Sequence, residues 1–385
     1  MKKILAIIIS TLLIFGLISC NSSCNNNAKS ECHKRFEINR GINISHWLSQ
    51  VYGFSPRATY IKEKDIAFLD SCGFDHIRLP FDEKELWDES GKRRDTAFKY
   101  MDSCVNWAFK HNMRVVIDFH ILRSHYFNAE NEKGAAPNTL WIDTNAQNKF
   151  IALWKDLQST IKKYPEDKVA YELLNEPVAP DPEMWNALIA KLMKSIRSVE
   201  PTRTVLIGGN MWQTPGMVPH LKFPEGDTNI IIAMHVYQPM LVTHHLASWT
   251  KFKNYKGPVS YPGKSIKDED ILKYIDINDT LALNEIKKFN KVFNRQALVE
   301  EMMPAIKTAK EKGLKLYCGE WGCYKEIPRD FRLAIYKDMI SIFKEYNIAN
   351  AAWDYKGAFG IVDYDFTKFV TLKPDTQLIN IMLKK

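Results

Sequence analysis

The chain has 385 residues, of which 45% are hydrophobic, 25% are charged and 12% are aromatic. This composition excludes a disordered chain, and the length suffices for one domain with a large buried core. Lys and Arg total 53 against 45 Asp and Glu, a net charge of +8. No run of basic residues has the density that follows a phosphate backbone, so we expect no nucleic acid partner.

The first twenty residues have the pattern of a targeting signal. Lys2 and Lys3 precede an apolar run from Ile4 to Ile18, and Ser19 stands directly before Cys20. This arrangement is similar to a bacterial lipoprotein signal, in which cleavage leaves Cys20 as the lipid-bearing N-terminus. The alternatives are an uncleaved membrane anchor, for which the run is short, and a plain secretory signal.

The lipoprotein interpretation fixes the expected organisation of the chain. Residues 1–20 are the signal peptide, residues 21–35 are a polar, flexible tether, and residues 36–385 are one folded domain without an internal linker. We expect an exported monomer, held by its lipid at the cell envelope, either at the outer membrane or at the cell surface.

Six further cysteines follow Cys20, and an exported chain can form disulfides. Six cysteines allow fifteen full pairings, and the sequence does not choose among them. No Cys-x-x-Cys pair exists, which argues against a zinc knuckle, and we expect several of these thiols to be small buried apolar groups. They are Cys24, Cys32, Cys72, Cys104, Cys318 and Cys323.

Eight short β-rich runs alternate with amphipathic segments, which predicts a (β/α)8 barrel, the TIM barrel fold. The alternative is an open doubly wound sheet, but no Gly-x-Gly-x-x-Gly follows the first strand. The predicted strands are 38–44, 76–80, 114–119, 169–174, 204–208, 230–236, 315–319 and 348–354. The predicted helices include 62–71, 96–111, 145–163, 183–199 and 297–312.

The segment 240–295 is far longer than an ordinary βα loop. Long loops in compact domains are often functional, and loops after barrel strands emerge at the face where active sites lie. We expect at least one of its aromatic side chains to contact a flat, partly apolar ligand such as a pyranose ring; packing of the loop onto the barrel is the alternative. These side chains are Trp249, Phe252, Tyr255 and Tyr261.

Two glutamates stand at predicted strand ends. Glu176 follows strand four in Leu-Leu-Asn-Glu-Pro, and Glu320 follows strand seven in Tyr-Cys-Gly-Glu-Trp. A carboxylate at the barrel mouth is costly to desolvate without a partner or a task. Two carboxylates facing one cleft are what glycoside hydrolysis requires, because one protonates the leaving oxygen and the other acts as nucleophile or base.

Other strand ends carry polar or aromatic groups, and together they resemble a known family. The chain order Arg, His, Asn-Glu, His-x-Tyr, Glu, Trp resembles that of the cellulase-type enzymes of glycoside hydrolase family 5, from about residue 36 to residue 364. This family has a (β/α)8 barrel and a retaining mechanism without metal or cofactor. The matching residues are Arg78, His120, Asn175, Glu176, His235, Tyr237, Glu320 and Trp353.

The resemblance implies a role for each residue. Glu176 is the acid/base and Glu320 is the nucleophile, which Arg78 keeps ionised. Tyr237 hydrogen-bonds the nucleophile and His235 supports the acid/base. Asn175 and His120 bind sugar hydroxyls, while Trp353 lies under the sugar at the cleavage point. A weaker resemblance to the loop of certain bacterial endoglucanases adds Trp249 and Tyr261 as substrate contacts.

Two other classes compete with this interpretation. Metal-dependent barrel hydrolases also place His residues at strand ends, and the pairs His120/His125 and His244/His245 are candidates. Those enzymes usually carry His-x-His on the first strand, where only His46 is present. A non-catalytic carbohydrate-binding lipoprotein would keep the aromatics but lose a carboxylate. The favoured substrate is a β-1,4-glucan cleaved internally; β-mannan is the runner-up, and β-1,3-glucan and xyloglucan remain open.

Overall fold

The computed structural model describes residues 35–51, 56–129 and 134–384. The expected signal, the tether up to residue 34, and Cys20, Cys24 and Cys32 lie outside these residues, so those expectations stay predictions. The described residues belong to one compact unit. Within the described ranges, none of the helices combines the length and the apolar character needed to cross a membrane.

Eight parallel strands close into a barrel, which confirms the predicted fold. Neighbouring strands follow the chain order around the barrel, and β1 pairs with β8 to close it. The strands are β1 (Arg40–Asn43), β2 (His76–Asp82), β3 (Arg114–Ile121), β4 (Val169–Glu172), β5 (Val205–Gly208), β6 (Ile230–Val236), β7 (Lys315–Trp321) and β8 (Ala349–Ala352).

The strands are apolar on both faces because each face is covered. Outward residues pack under the surrounding helices, and inward residues fill the barrel as a separate small cluster. This inner cluster fixes the strand ends relative to one another, which is what positions side chains at the mouth. Its members are Phe36, Val116, Ala170, Leu206, Ile231, Ala233, Tyr317 and Ala351.

Six long helices cover the barrel, and several begin at side-chain caps. Asp143, Asp181 and Asn294 each accept a hydrogen bond from a backbone N–H in the first helical turn. The helices are α1 (Glu63–Cys72), α2 (Asp95–Lys110), α3 (Thr144–Ile161), α4 (Pro182–Arg197), α5 (Arg295–Lys312) and α6 (Arg329–Glu345). After β5, the short turn Asn210–Gln213 and the 3-10 helix Pro215–His220 replace a long helix.

The segment between β6 and α5 is a folded insert rather than an extended loop. Gly263–Lys264 pairs antiparallel with Val292–Phe293 and closes it. Its helices are Met240–Thr243, Asp268–Tyr274 and Thr280–Phe289. The chain ends with the hairpin of Val362–Asp365 and Val370–Pro374, followed by the helix Thr376–Leu383.

The cysteines within the described residues are free. Cys104, Cys318 and Cys323 are buried and Cys72 is partly exposed. Burial raises the pKa of the Cys323 thiol to about 12, so this group is an inert apolar side chain. The expectation of small buried thiols therefore holds for three of these four residues.

Candidate active site

Glu176 and Glu320 meet at the mouth of the barrel. Glu176 lies just beyond β4 and Glu320 within β7, two strands that β5 and β6 separate. Their side chains face each other across the mouth, and an oxygen of each lies within 4.8 Å of the other. Both residues are almost buried, with exposed fractions of 8% and 5%.

Arg78 is the centre of the hydrogen-bond network below the two glutamates. This fully buried guanidinium donates from Nη1 to Oε1 of Glu320 at 2.8 Å. Its Nε donates to Oε2 of Glu172 at 2.6 Å, and Nη2 lies 3.0 Å from Oδ2 of Asp118. One buried cation therefore faces three carboxyl groups, and the excess of negative charge favours holding a proton in this cluster.

The remaining donors of Arg78 orient two asparagines. Nη1 donates to Oδ1 of Asn43 at 3.0 Å, and Nη2 donates to Oδ1 of Asn175 at 2.9 Å. Because the amide oxygen of Asn175 accepts from Arg78, its Nδ2 must point away from the guanidinium. That nitrogen is buried and has no partner among the described residues, so it is a free donor for a ligand.

The two oxygens of Glu320 are both engaged. Oε1 accepts from Arg78, and Oε2 accepts from the hydroxyl of Tyr237 at 2.9 Å. Burial raises the pKa of Glu320, and Arg78 is the largest influence that opposes this rise. The expectation that Arg78 lowers this pKa is correct for its own effect, but burial outweighs it.

Glu176 has a different environment. Burial, followed by the negative charge of Glu320, raises the pKa of Glu176 well above the ordinary glutamate value. Its Oε1 lies 2.9 Å from Nδ1 of His235. Burial and the charge of Arg78 lower the pKa of His235 well below its ordinary value, so this ring is neutral beside Glu176. Glu176 is therefore the carboxyl that favours the protonated form.

His120 and Trp353 form one wall of the cleft. Nδ1 of His120 lies 2.7 Å from Oδ2 of Asp118, and its ring stacks on the indole of Trp353 with 5.5 Å between centroids and 8° between planes. Burial lowers the pKa of His120 to about 4. With its proton on Nδ1, the ring presents Nε2 as an acceptor, and that atom has no partner within the described part of the chain.

The set Glu176, His235 and Glu320 has donor atoms close enough to surround a cation. The hydrogen bonds argue against this use, because Arg78 and Tyr237 already occupy the two oxygens of Glu320. A divalent cation here would also meet the buried positive charge of Arg78. The donor set fits proton transfer and nucleophilic chemistry better than metal binding.

The aromatic side chains of the insert divide into two groups. Trp249 is 43% exposed, and its ring contacts Tyr324 and Phe359, with centroid distances of 5.5 and 6.2 Å. Phe359 in turn lies 5.8 Å from the ring of Tyr237, which bonds Glu320. Trp249 therefore lies on the rim of the mouth, where a ligand can reach it.

Tyr261 and Tyr255 lie inside the insert. Tyr261 is only 3% exposed and donates its hydroxyl to Oδ2 of Asp338 on α6 at 2.6 Å. Tyr255 donates to the carbonyl of Pro258 at 2.7 Å, and Phe252 is equally buried. The proposed substrate contact at Tyr261 needs correction, because this ring has no face open to a sugar and instead ties the insert to the barrel.

Sequence reasoning overlooked Asp118, Glu172 and Gln213, all fully buried around Arg78 or Glu176. The first two did leave a signal. Each is a lone acid within an otherwise apolar strand, and a buried acid requires a partner. Gln213 left no such signal, because a single polar residue in a loop after a strand is ordinary.

Comparison with known proteins shows the family. The fold and the two facing carboxyls at the barrel mouth are typical of a hydrolase built on a (β/α)8 barrel. Residues 36–359 match the model of the cellulase family, glycosyl hydrolase family 5, and the chain belongs to this family. Endoglucanase C of Acetivibrio thermocellus is 33% identical over 356 residues, which cover 90% of this chain and 98% of that protein.

Two further matches have lower sequence identity. Cellodextrinase A of Ruminococcus flavefaciens is 28% identical over 317 residues, covering 81% of this chain and 84% of its own. Among solved structures, Thermotoga maritima Cel5A in complex with mannotriose superposes with a TM-score of 0.69 at 24% identity, over 90% of this chain and 97% of that one. This last likeness concerns the fold alone.

Proposed function

We propose that the protein is a retaining endo-β-1,4-glucanase in which Glu320 is the nucleophile and Glu176 the acid/base. The observation that carries the proposal is the separation of the two carboxyls, with an oxygen of each within 4.8 Å. Retaining glycosidases hold these groups about 5–5.5 Å apart, whereas inverting enzymes need about 6.5–9.5 Å to admit a water.

The hydrogen bonds support this assignment of the two roles. An oxygen of Glu320, oriented by Arg78 and Tyr237, attacks the anomeric carbon while the bond to the leaving oxygen breaks. Glu176, whose pKa burial raises, gives its proton to that oxygen. In the second step Glu176 takes a proton from water, the water oxygen attacks the same carbon, and Glu320 is released.

The free polar atoms of the cleft fit the sugar. Nδ2 of Asn175 can donate to the 2-hydroxyl, an interaction that strengthens at the oxocarbenium-like transition state. Nε2 of His120 can accept from another hydroxyl, and Trp353 offers its ring below the sugar. Trp249 extends this surface at the rim. The choice of glucan is supported by the relatives named endoglucanase.

A substrate panel tests the proposal. Reducing ends should appear fastest from a soluble β-1,4-glucan or mixed-linkage glucan, with an early drop in viscosity that marks internal cleavage. NMR of the first product should show the anomeric configuration of the substrate retained. Faster release from β-mannan, xyloglucan or β-1,3-glucan would overturn the substrate, and an inverted first product would overturn the role of Glu320. Binding without hydrolysis would make it a carbohydrate-binding lipoprotein.

We also propose that Cys20 carries lipid and that residues 21–35 tether a monomeric enzyme to the cell envelope. The support is the sequence pattern of Lys2, Lys3, the apolar run and Cys20. Several acyl chains give stable attachment where one does not. The enzyme should fractionate with membranes and a Cys20→Ser variant should not. Wild-type activity found wholly in the culture supernatant would overturn this proposal.

A further inference from the structure

We infer that Gln213 is a positioning residue for the acid/base; this inference rests on the role proposed above for Glu176. The carboxamide of Gln213 is fully buried. Its Oε1 accepts the backbone N–H of Glu176 at 2.8 Å, and its Nε2 donates to Oε1 of Glu172 at 3.1 Å. It touches no atom that reacts, so any effect on the reaction must pass through Glu176.

The backbone of Glu176 needs such a partner. Its φ is +46°, a left-handed backbone conformation that residues other than glycine rarely adopt. At this turn the chain leaves the direction of β4, and the Glu176 carboxyl lies beside His235 at the mouth of the barrel. The conformation also buries the Glu176 N–H, and an unpaired buried N–H is costly, so the carboxamide of Gln213 stabilises the turn.

Gln213 is itself held in an unusual loop. Met211, Trp212 and Gln213 have consecutive φ values of +50°, +60° and +53°, so the chain makes a left-handed turn directly after β5. Asn210 fastens this turn by exchanging two side-chain hydrogen bonds with the backbone of Ala179, at 2.8 and 2.9 Å. The turn therefore holds the side chain of Gln213 in a fixed position below Glu176.

Gly208 leaves the space that the carboxamide occupies. A Cβ at position 208 would lie 2.2 Å from Nε2 of Gln213, so any larger residue would displace it. Gly208 at the end of β5 and the left-handed turn after it therefore both allow Gln213 to reach the backbone N–H of Glu176.

Glu172 and Arg78 connect Gln213 to Glu320, the proposed nucleophile. Glu172 accepts from Gln213 on one oxygen and from Nε of Arg78 on the other, at 3.1 and 2.6 Å. Burial raises the pKa of Glu172, whereas these two hydrogen bonds and the charge of Arg78 favour its ionised form. The backbone N–H of Glu176 and the carboxyl of Glu172 together fix which end of the carboxamide faces Glu176. Arg78 also donates to Glu320. A buried chain of hydrogen bonds therefore links the backbone of the acid to the side chain of the nucleophile.

The test exploits the dependence of acid catalysis on the leaving group. Gln213→Met keeps length and burial but removes both hydrogen bonds. We expect kcat/KM, which reports the first chemical step, to fall about 10–100-fold for phenyl β-cellobioside, whose leaving group needs a proton. For 2,4-dinitrophenyl β-cellobioside, whose leaving group needs none, the loss should be about threefold or less.

Gln158 supplies a matched control. It is equally buried, its Nε2 donates to Oε2 of Glu200 at 2.9 Å, and it lies on α3. Gln158→Met should lower thermal stability to a similar extent and change the two rates by the same factor. An equal loss on both substrates in Gln213→Met would give Gln213 the same structural role as Gln158 and overturn the inference.

A second variant covers the case in which Gln213→Met does not fold. In Gln213→Glu the carboxyl mimics the carboxamide only when protonated, so the ratio of the two rates should return toward the wild-type ratio as pH falls. A ratio independent of pH would overturn the inference. Glu176→Ala separates the two proposals. If this variant loses the same factor of rate on both substrates, the acid role of Glu176 is wrong. If it loses more rate on the phenyl substrate but the Gln213 variants do not, only the positioning role of Gln213 is wrong.

Discussion

Nδ1 of His235 lies 2.9 Å from Oε1 of Glu176 and 3.7 Å from Oε2 of Glu320. Burial keeps this ring neutral, and its other nitrogen packs toward Gly319, where a Cβ would come within 3.2 Å. The ring proton therefore belongs on Nδ1, directed at Glu176. Oε1 of Glu176 then acts as an acceptor, which leaves Oε2 to carry the proton in the acid role that we propose for Glu176.

This geometry predicts how the two carboxyls influence each other. In Glu320→Gln the negative charge beside Glu176 is lost, so the pKa of Glu176 should fall toward the ordinary glutamate value. The sign follows from electrostatics, because a neighbouring anion disfavours a second one. Titration of ¹³C-labelled glutamate by NMR measures the change. Glu183→Gln, on exposed surface, is the control; an unchanged or higher pKa in Glu320→Gln would contradict the coupling.

Removal of either carboxyl should abolish most activity while the protein still folds. Glu176→Ala and Glu320→Ala should each lower kcat/KM on oligosaccharides by roughly 10²–10⁴-fold or more, because the transition state requires both groups. Glu176→Ala should unfold at the wild-type temperature or above, since burial raises the pKa of Glu176 and thus disfavours its charge. Glu320→Ala also removes a carboxylate partner of Arg78, so it should stay folded but unfold at a lower temperature.

Chemical rescue separates the two roles. Azide should partly restore Glu320→Gly and give a glycosyl azide of inverted configuration, because the external nucleophile enters where Glu320 stood. Glu172→Gln is the structural comparison: it removes another of the three carboxyl partners of Arg78 and should lower the unfolding temperature. Near-wild-type turnover in either alanine variant would refute the assignment.

The barrel was predictable because buried parallel strands appear in a sequence as short apolar runs between amphipathic segments. All eight strands were placed within a few residues of their observed bounds, and β6 was placed at Ile230–Val236 as observed. The strand-end positions of Glu176 and Glu320 followed from the same reading, because every strand of a barrel delivers its carboxyl end to one face.

The remaining features depend on contacts between distant residues. The left-handed turn that positions Gln213 is imposed by Asn210 and Ala179, which no local propensity reveals. In the insert, Trp249 and Tyr261 look alike in sequence, yet one ring is exposed and the other bonds Asp338 on α6. Only the packing of the insert against the barrel distinguishes them.

Trp249 should bind the substrate away from the cleavage point. Trp249→Ala should raise KM for long glucan oligosaccharides by about 5–20-fold, because a sugar–ring contact is lost, while short aryl glycosides should keep their kinetics. Leu281, another exposed apolar residue of the insert, supplies the control variant Leu281→Ala. Equal kinetics of Trp249→Ala and wild type on both substrate classes would make Trp249 a packing residue.

Acidic pH should destabilise the fold through buried histidines. Burial lowers the pKa of His125 to about 4, with its Nε2 near the carbonyl of Glu176 at 3.2 Å. Between this value and the ordinary one near 6.5, the unfolded chain binds a proton that the folded chain does not. Stability should therefore fall as pH decreases across this window, by up to about 1.4 kcal/mol per pH unit for this residue.

Other groups that titrate in this pH range change the stability in the opposite direction, so a comparison between wild type and a variant is required. Burial raises the pKa of Asp118 to about 7, so the folded chain binds that proton more readily and gains stability as pH falls. Comparing the free energy of unfolding of wild type and His125→Gln at pH 6.5, 5 and 4 cancels such contributions. The variant should lose less stability toward pH 4, whereas the exposed control His220→Gln should match wild type. Parallel curves for wild type and His125→Gln would show that His125 binds its proton in the folded state as well.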